Sequence, residues 1–144
     1  MSDMETGDVR KRLQRTIERA RRGAADRRAR NDEATRAFTE LLDHVAVPLF
    51  KQIANVLKIE GYPFSVFTPS ASVRLMSDKS ADDYIELTLD TSDRDPRVMA
   101  HTSRSRGRRV VDAEQVVGTG PPETLTEEEL FAFLLKELEP FVER

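Results

Sequence analysis

The chain is predicted to be α+β: a long kinked N-terminal helix, a four- or five-stranded antiparallel sheet, and a C-terminal helix packed on one face. Three observations predict this. Between Val9 and Ile59, apolar or small residues recur at Leu13, Ile17, Ala20 and Ala24, then at Ala34, Phe38, Leu41 and Val45, with neighbours three or four apart. That spacing marks one face of a helix. From Tyr62 the period changes to two, as in a half-buried strand, and after Thr126 the helical period returns.

The first helix has Asp3, Glu5 and Asp8 at its start, with Asp8 read as the N-cap, since acidic groups favour a helix N-terminus. Written as heptads, Ile17, Ala24, Asn31, Phe38 and Val45 fall at a, and Leu13, Ala20, Arg27, Ala34 and Leu41 at d. The seam weakens between Ala20 and Asn31, and Arg21, Arg28 and Arg30 flank it without acidic counterparts. Two such segments side by side in parallel repel each other, so residues 10–30 make a poor coiled coil. Asn31 reads either as a polar a residue or as the N-cap of a fresh helix. The continuous helix, softened between Gly23 and Asn31, is favoured. Pro48 lacks a backbone donor and predicts a kink or break, after which Leu49, Ile53, Val56 and Leu57 resume the stripe up to Gly61, a natural helix terminator.

Strands follow at Phe64–Thr68, around Val73 and Leu75, and at Tyr84–Asp90, where Ile85, Leu87 and Leu89 alternate with polar residues. The stretches SDKSADD and DTSDRDP read as turns. Residues 97–102 and 109–117 form a hairpin through Ser105-Arg106-Gly107, and these short connections predict an antiparallel meander. Thr126 and Glu129 then make a capping box, with Leu125 and Leu130 at hydrophobic-staple spacing. Leu130, Phe131, Leu134, Leu138 and Phe141 give this last helix a wide apolar face, and Pro140 is expected to end or bend it.

A length of 144 residues suits one domain. Charged residues reach 34 % against 38 % hydrophobic, which predicts a charged helical arm (residues 1–30) projecting from a single α+β domain (residues 31–144). With no cysteine, disulfides, thiol catalysis and cysteine-bound metal are excluded. The start lacks the apolar core of a signal peptide and no apolar run is long enough to span a membrane, so a soluble cytoplasmic protein is expected. The net charge of −3 conceals an asymmetry: residues 9–30 hold ten basic side chains against Glu18 and Asp26, and residues 112–144 hold nine acidic ones against Lys136 and Arg144. Ends of opposite sign suggest contact between them, within one chain or between two. Arginine outnumbers lysine 18 to 5, a ratio that GC-rich coding explains as readily as anion recognition.

Candidate chemistry is sparse. Glu40 and His44 stand one turn apart, but bundle metal sites need several such residues from facing helices. No metal or cofactor site is therefore assigned. His101 falls opposite Asp112 across a two-residue turn, or opposite Val111 across a three-residue one, and no nucleophile accompanies it. The carboxylates of Asp82-Asp83 and Asp93-Arg94-Asp95 lack calcium-loop spacing and read as solvated turns. No catalytic residue is nominated.

Binding candidates are stronger. Arg104, Arg106, Arg108 and Arg109 crowd the hairpin tip, where opposed like charges are relieved either by an anion or acidic partner or by splaying into water. Candidates are phosphate, nucleic acid and the acidic helix beginning at Glu127. The basic arm, including Arg12, Arg15, Arg19 and Arg22, could neutralise phosphates, yet recognition motifs and stacking aromatics are missing and the pI is near 5.5. The apolar seam of Phe38, Leu41 and Val45 points to self-association. The expectation is a non-enzymatic interaction module, a dimer in preference to higher oligomers, with an acidic protein surface as a further partner. Nucleic-acid accessory and small-ligand or enzyme domain are the alternatives.

Overall fold

In the computed structural model, which describes residues 4–93 and 95–143, the chain opens with helix α1 (Thr6–Leu41). It passes through a π-helical turn (Leu42–Ala46) and continues as α2 (Val47–Ile59). The helix is thus unbroken at Pro48, and the irregularity predicted there falls one turn earlier. The Val47 N–H donates to the carbonyl of Leu42, five residues back. In a regular helix a proline ring collides with the carbonyl four residues before it and has no N–H to give. The wider turn moves that carbonyl aside, so the helix runs on.

The helix start also differs from expectation. Glu5 holds the N-cap position without a side-chain hydrogen bond, and Asp8 lies inside the first turn, where its charge meets the helix dipole. Asp3 lies outside the described residues, as does Arg94. At the other end, Gly61 takes a φ of +94°. Tyr62 N–H then reaches Leu57 O at 2.7 Å and Gly61 N–H reaches Lys58 O at 3.1 Å, the bond pair of a Schellman terminus.

Strands β1 (Phe64–Phe67), β2 (Val73–Ser77), β3 (Tyr84–Asp90), β4 (Arg97–Arg106) and β5 (Arg109–Val116) follow in chain order, every neighbouring pair antiparallel. Phe64, Val73, Leu75, Ile85, Leu87, Val98 and Ala100 share one face through their registers, and all are buried. α2, the π-helical turn and helix α3 (Glu127–Val142) lie on that face, adding Phe50, Leu130, Leu134 and Phe141 to the same core.

The Thr126 hydroxyl oxygen accepts from Glu129 N–H at 3.1 Å, and the hydroxyl donates to the Glu129 carboxylate at 3.0 Å. Leu125 and Leu130 are both buried beside this cap, as a staple requires. Pro140 does not end α3, which extends to Val142. The loss is limited to one hydrogen bond near the terminus, and Phe141 beyond it is buried against Phe64.

Two turns depart from the sequence reading. Asp83 is not solvated: it is buried and accepts from Ser105 N–H at 2.7 Å, tying the β2–β3 turn to β4. In the β4–β5 hairpin the two connecting residues are Gly107 and Arg108, with Gly107 at φ +65°. A positive φ at the first connecting position is the type II′ pattern, whose twist suits a hairpin. This register places Glu114 opposite His101, in place of Asp112 or Val111.

Candidate interaction surfaces

The first half of α1 stands free. Residues 6–22 are exposed at every position, about 25 Å of helix without a wall behind it. Arg12, Arg15, Arg19 and Arg22 all face solvent there, and Glu18 meets Arg22 at 3.7 Å in an exposed pair. Such a pair adds only a few tenths of a kcal/mol, on the order of 0.3–0.5. On the same arm Val9, Leu13 and Ile17 are 39, 56 and 47 % exposed and spaced by four, an apolar stripe facing water. The helix joins the body further along, where Arg30 reaches Asp95 at 3.6 Å and Ala34 is buried.

The seam expected to mediate self-association is placed elsewhere. Phe38 and Leu41 are 2 and 7 % exposed inside the protomer's own core, and Val45 is half-buried against it. They belong to the one core that the strands, α2 and α3 also fill, and α1 packs against the short 3-10 turn Pro122–Thr124, so they present no surface to a second copy. Their burial within the protomer follows from the same apolar spacing that marked them out, since periodicity reports a face to be covered and not what covers it.

At the hairpin tip Arg106 stands opposite Arg109 in the register, with Arg106, Arg108 and Arg109 exposed and Arg104 half-buried. A shallow cavity of about 410 Å³ beside them is lined by Arg104, Arg106, Pro140 and Glu143. The acidic neighbour is therefore the end of α3 and not its beginning at Glu127. The tip and the arm do not form one basic surface. The arm meets the body near Asp95, at the opposite end of the ten-residue β4, roughly 30 Å away along the strand.

The open face of the sheet carries a row that the sequence reading missed. Phe67, Arg74, Glu86, His101 and Glu114 lie directly across from one another on five successive strands. Arg74 Nε donates to Glu86 at 2.9 Å and its guanidinium sits 4.1 Å from the centre of the Tyr84 ring. His101 Nδ1 lies 3.3 Å from the Glu114 carboxylate. Arg74 and Glu86 pair as opposite charges, and His101 stands in the register between the carboxylates of Glu86 and Glu114. Alternation in Tyr84–Asp90 puts Glu86 on the polar face, but its partners depend on two turn lengths at once.

Elsewhere, Glu40 and His44 approach to 3.1 Å on an exposed helix surface. A cavity of about 630 Å³ at the arm's base mixes Arg30, Arg97, Glu33, Asp95 and Glu123. Among the described residues no three His or carboxylate groups are gathered as metal ligands, and no helix is long and apolar enough to cross a membrane.

A further surface lies between α2 and α3, whose outer stripes form an apolar groove of about 550 Å³. Ile53 and Leu138 floor it, Val56, Phe131 and Leu135 line its walls, and Glu127 and Glu128 stand at one end. Val56, Phe131 and Leu135 are 58, 41 and 54 % exposed. Comparison with protein-family models, curated proteins and solved structures finds no match to this chain, so its surfaces are its evidence of function.

Proposed function

We propose that this protein is a cytoplasmic, non-enzymatic interaction module that self-associates, as a dimer, through its long N-terminal helix. The observation that carries this reading is the exposed Val9, Leu13 and Ile17 stripe on the part of α1 that projects from the body, where residues 6–22 are exposed at every position. Most of a helix's stability in a protein comes from packing an amphipathic face, and this stretch has none of that packing within the protomer. Burying side chains of this kind stabilises by about 1.5–3 kcal/mol each, so covering the stripe both orders the arm and drives association. The surface used is the arm ahead of Gly23, since Phe38 and Leu41 are taken up by the core.

The test is the mass of the full-length chain by light scattering across a concentration series, beside Leu13→Glu/Ile17→Glu. The parent chain is expected to be dimeric and the double variant monomeric with unchanged circular dichroism in the sheet region. A parent chain that stays monomeric at high concentration removes the proposal.

The exposed row of Arg12, Arg15, Arg19 and Arg22 supports a second reading, a nucleic-acid accessory role for the arm. Phosphate binding of that kind is steeply salt-dependent. Absence of duplex and single-strand binding at low salt sinks it.

A further inference from the structure

We infer that the apolar groove between α2 and α3 receives the basic arm of a second copy of this chain. The inference rests on the self-association just proposed and names where the arm lands. Among the exposed apolar surfaces of the described residues, the arm stripe and the groove match in form. The groove is a channel between two helices, the shape that accepts a third helix through anchors one turn apart. The arm presents such anchors at Val9, Leu13 and Ile17.

They also match in charge. By the 3.6-residue turn, Arg10 and Arg21 flank the stripe on one side and Arg12 and Arg19 on the other. The groove's end carries Glu127 and Glu128, both exposed, on a helix whose only basic residue is Lys136. Opposed potentials of this kind favour docking and reject like-charged alternatives. A parallel pairing of two arms instead sets arginine-rich flanks side by side.

The arm cannot reach its own groove. Leu13 and Ile53 belong to one continuous helical run from Thr6 to Ile59, and 40 residues of helix separate them by about 60 Å. A second copy running antiparallel brings Leu13 of each molecule beside Ile53 of the other. Because arm and groove wall share one helical run, a two-fold axis repeats the contact, and the assembly closes as a dimer.

The test uses full-length chains. Leu13→Glu/Ile17→Glu spoils the arm, and Phe131→Glu/Leu135→Glu spoils the groove at exposed positions. Each variant alone is expected to weaken dimerisation by about a hundredfold or more. Mixing the two restores a heterodimer, since one intact arm then meets one intact groove. Because the chain has no cysteine, Leu13→Cys mixed with Leu135→Cys provides a milder check. A bismaleimide should join these two chains and should not join Arg15→Cys, on the arm's far side, to Leu135→Cys. If the groove variant dimerises like the parent while the arm variant does not, the groove assignment is wrong and self-association through the arm survives. If neither variant changes the mass, or the parent is monomeric at about 100 µM, both readings fall. A failure of Leu13→Cys and Leu135→Cys to cross-link in a dimeric mixture overturns the groove assignment alone.

Discussion

The rings of Phe64 and Phe141 meet edge to face, their centroids 6.0 Å apart and their planes at 83°. This contact fastens β1, at the edge of the sheet, to the last turn of α3, at the C-terminal end of the α+β body. Tyr62 adds a hydrogen bond from its hydroxyl to Val142 O at 3.2 Å.

Removing that clasp is expected to be expensive. Phe141 is 7 % exposed, and truncating a buried phenylalanine to alanine typically destabilises by about 3–5 kcal/mol. Urea denaturation of Phe141→Ala should show a loss in this range. Phe131→Ala, at a position 41 % exposed, should lose about 1 kcal/mol or less, following the smaller area it buries.

Gly118 is the glycine with least freedom to change. Its φ is +83°, and an added Cβ would stand 3.1 Å from Leu125 Cδ1. Left-handed backbone strains an L-residue by about 1–2 kcal/mol, and the crowding falls on a buried leucine next to the α3 cap. Gly118→Ala is expected to lower the thermal midpoint, while Gly7→Ala, in open space within α1, should leave it unchanged or raise it.

Asp83 holds the β2–β3 turn against β4 through the Ser105 N–H and hydroxyl, at 2.7 and 3.1 Å. Asp83→Ala deprives Ser105 of that acceptor and should destabilise by about 1–3 kcal/mol. Native-state hydrogen exchange at the Ser105 amide should speed up in the same variant, whereas an exchange rate equal to the parent's would contradict the assignment.

Asp90 links pH to the β3–β4 turn. The Ser92 hydroxyl at 2.6 Å and the Ser92 N–H at 2.9 Å hold its carboxyl below the ordinary value of 3.8; burial opposes them, and Arg97 and then His101 add smaller contributions in the same direction as Ser92. A carboxyl with a lowered folded value binds fewer protons than in the unfolded chain. Its contribution is therefore present above pH 3.8 and is lost as pH falls through the lowered value. An NMR titration of Ser92→Ala should move the Asp90 midpoint upward, and the variant's stability deficit should shrink in strong acid.

The element order was legible in the residues because it depends on local spacing. Leu130, Leu134 and Leu138 mark the buried side of α3 whatever they pack against, and Thr126 with Glu129 marks its start. Ile85 and Leu87 likewise declared which face of β3 is covered. The candidate surfaces were less legible. Phe38 and Leu41 looked available to a second copy because their spacing is the same whether a sheet or a sister helix covers them. Leu13 and Ile17 look alike in sequence and lie open in the structure.

The alternation of periods, the cap at Thr126, the positive arm and the negative C-terminal region could be read directly from the residues, since each is a property of neighbours along the chain. The hairpin register that sets His101 against Glu114, the π-helical turn that absorbs Pro48, and the groove between α2 and α3 emerge only in the folded chain. Those features depend on which distant residues meet. That choice is made by packing one shared core, where a shift of one residue in register exchanges the buried face of a strand for the wet one.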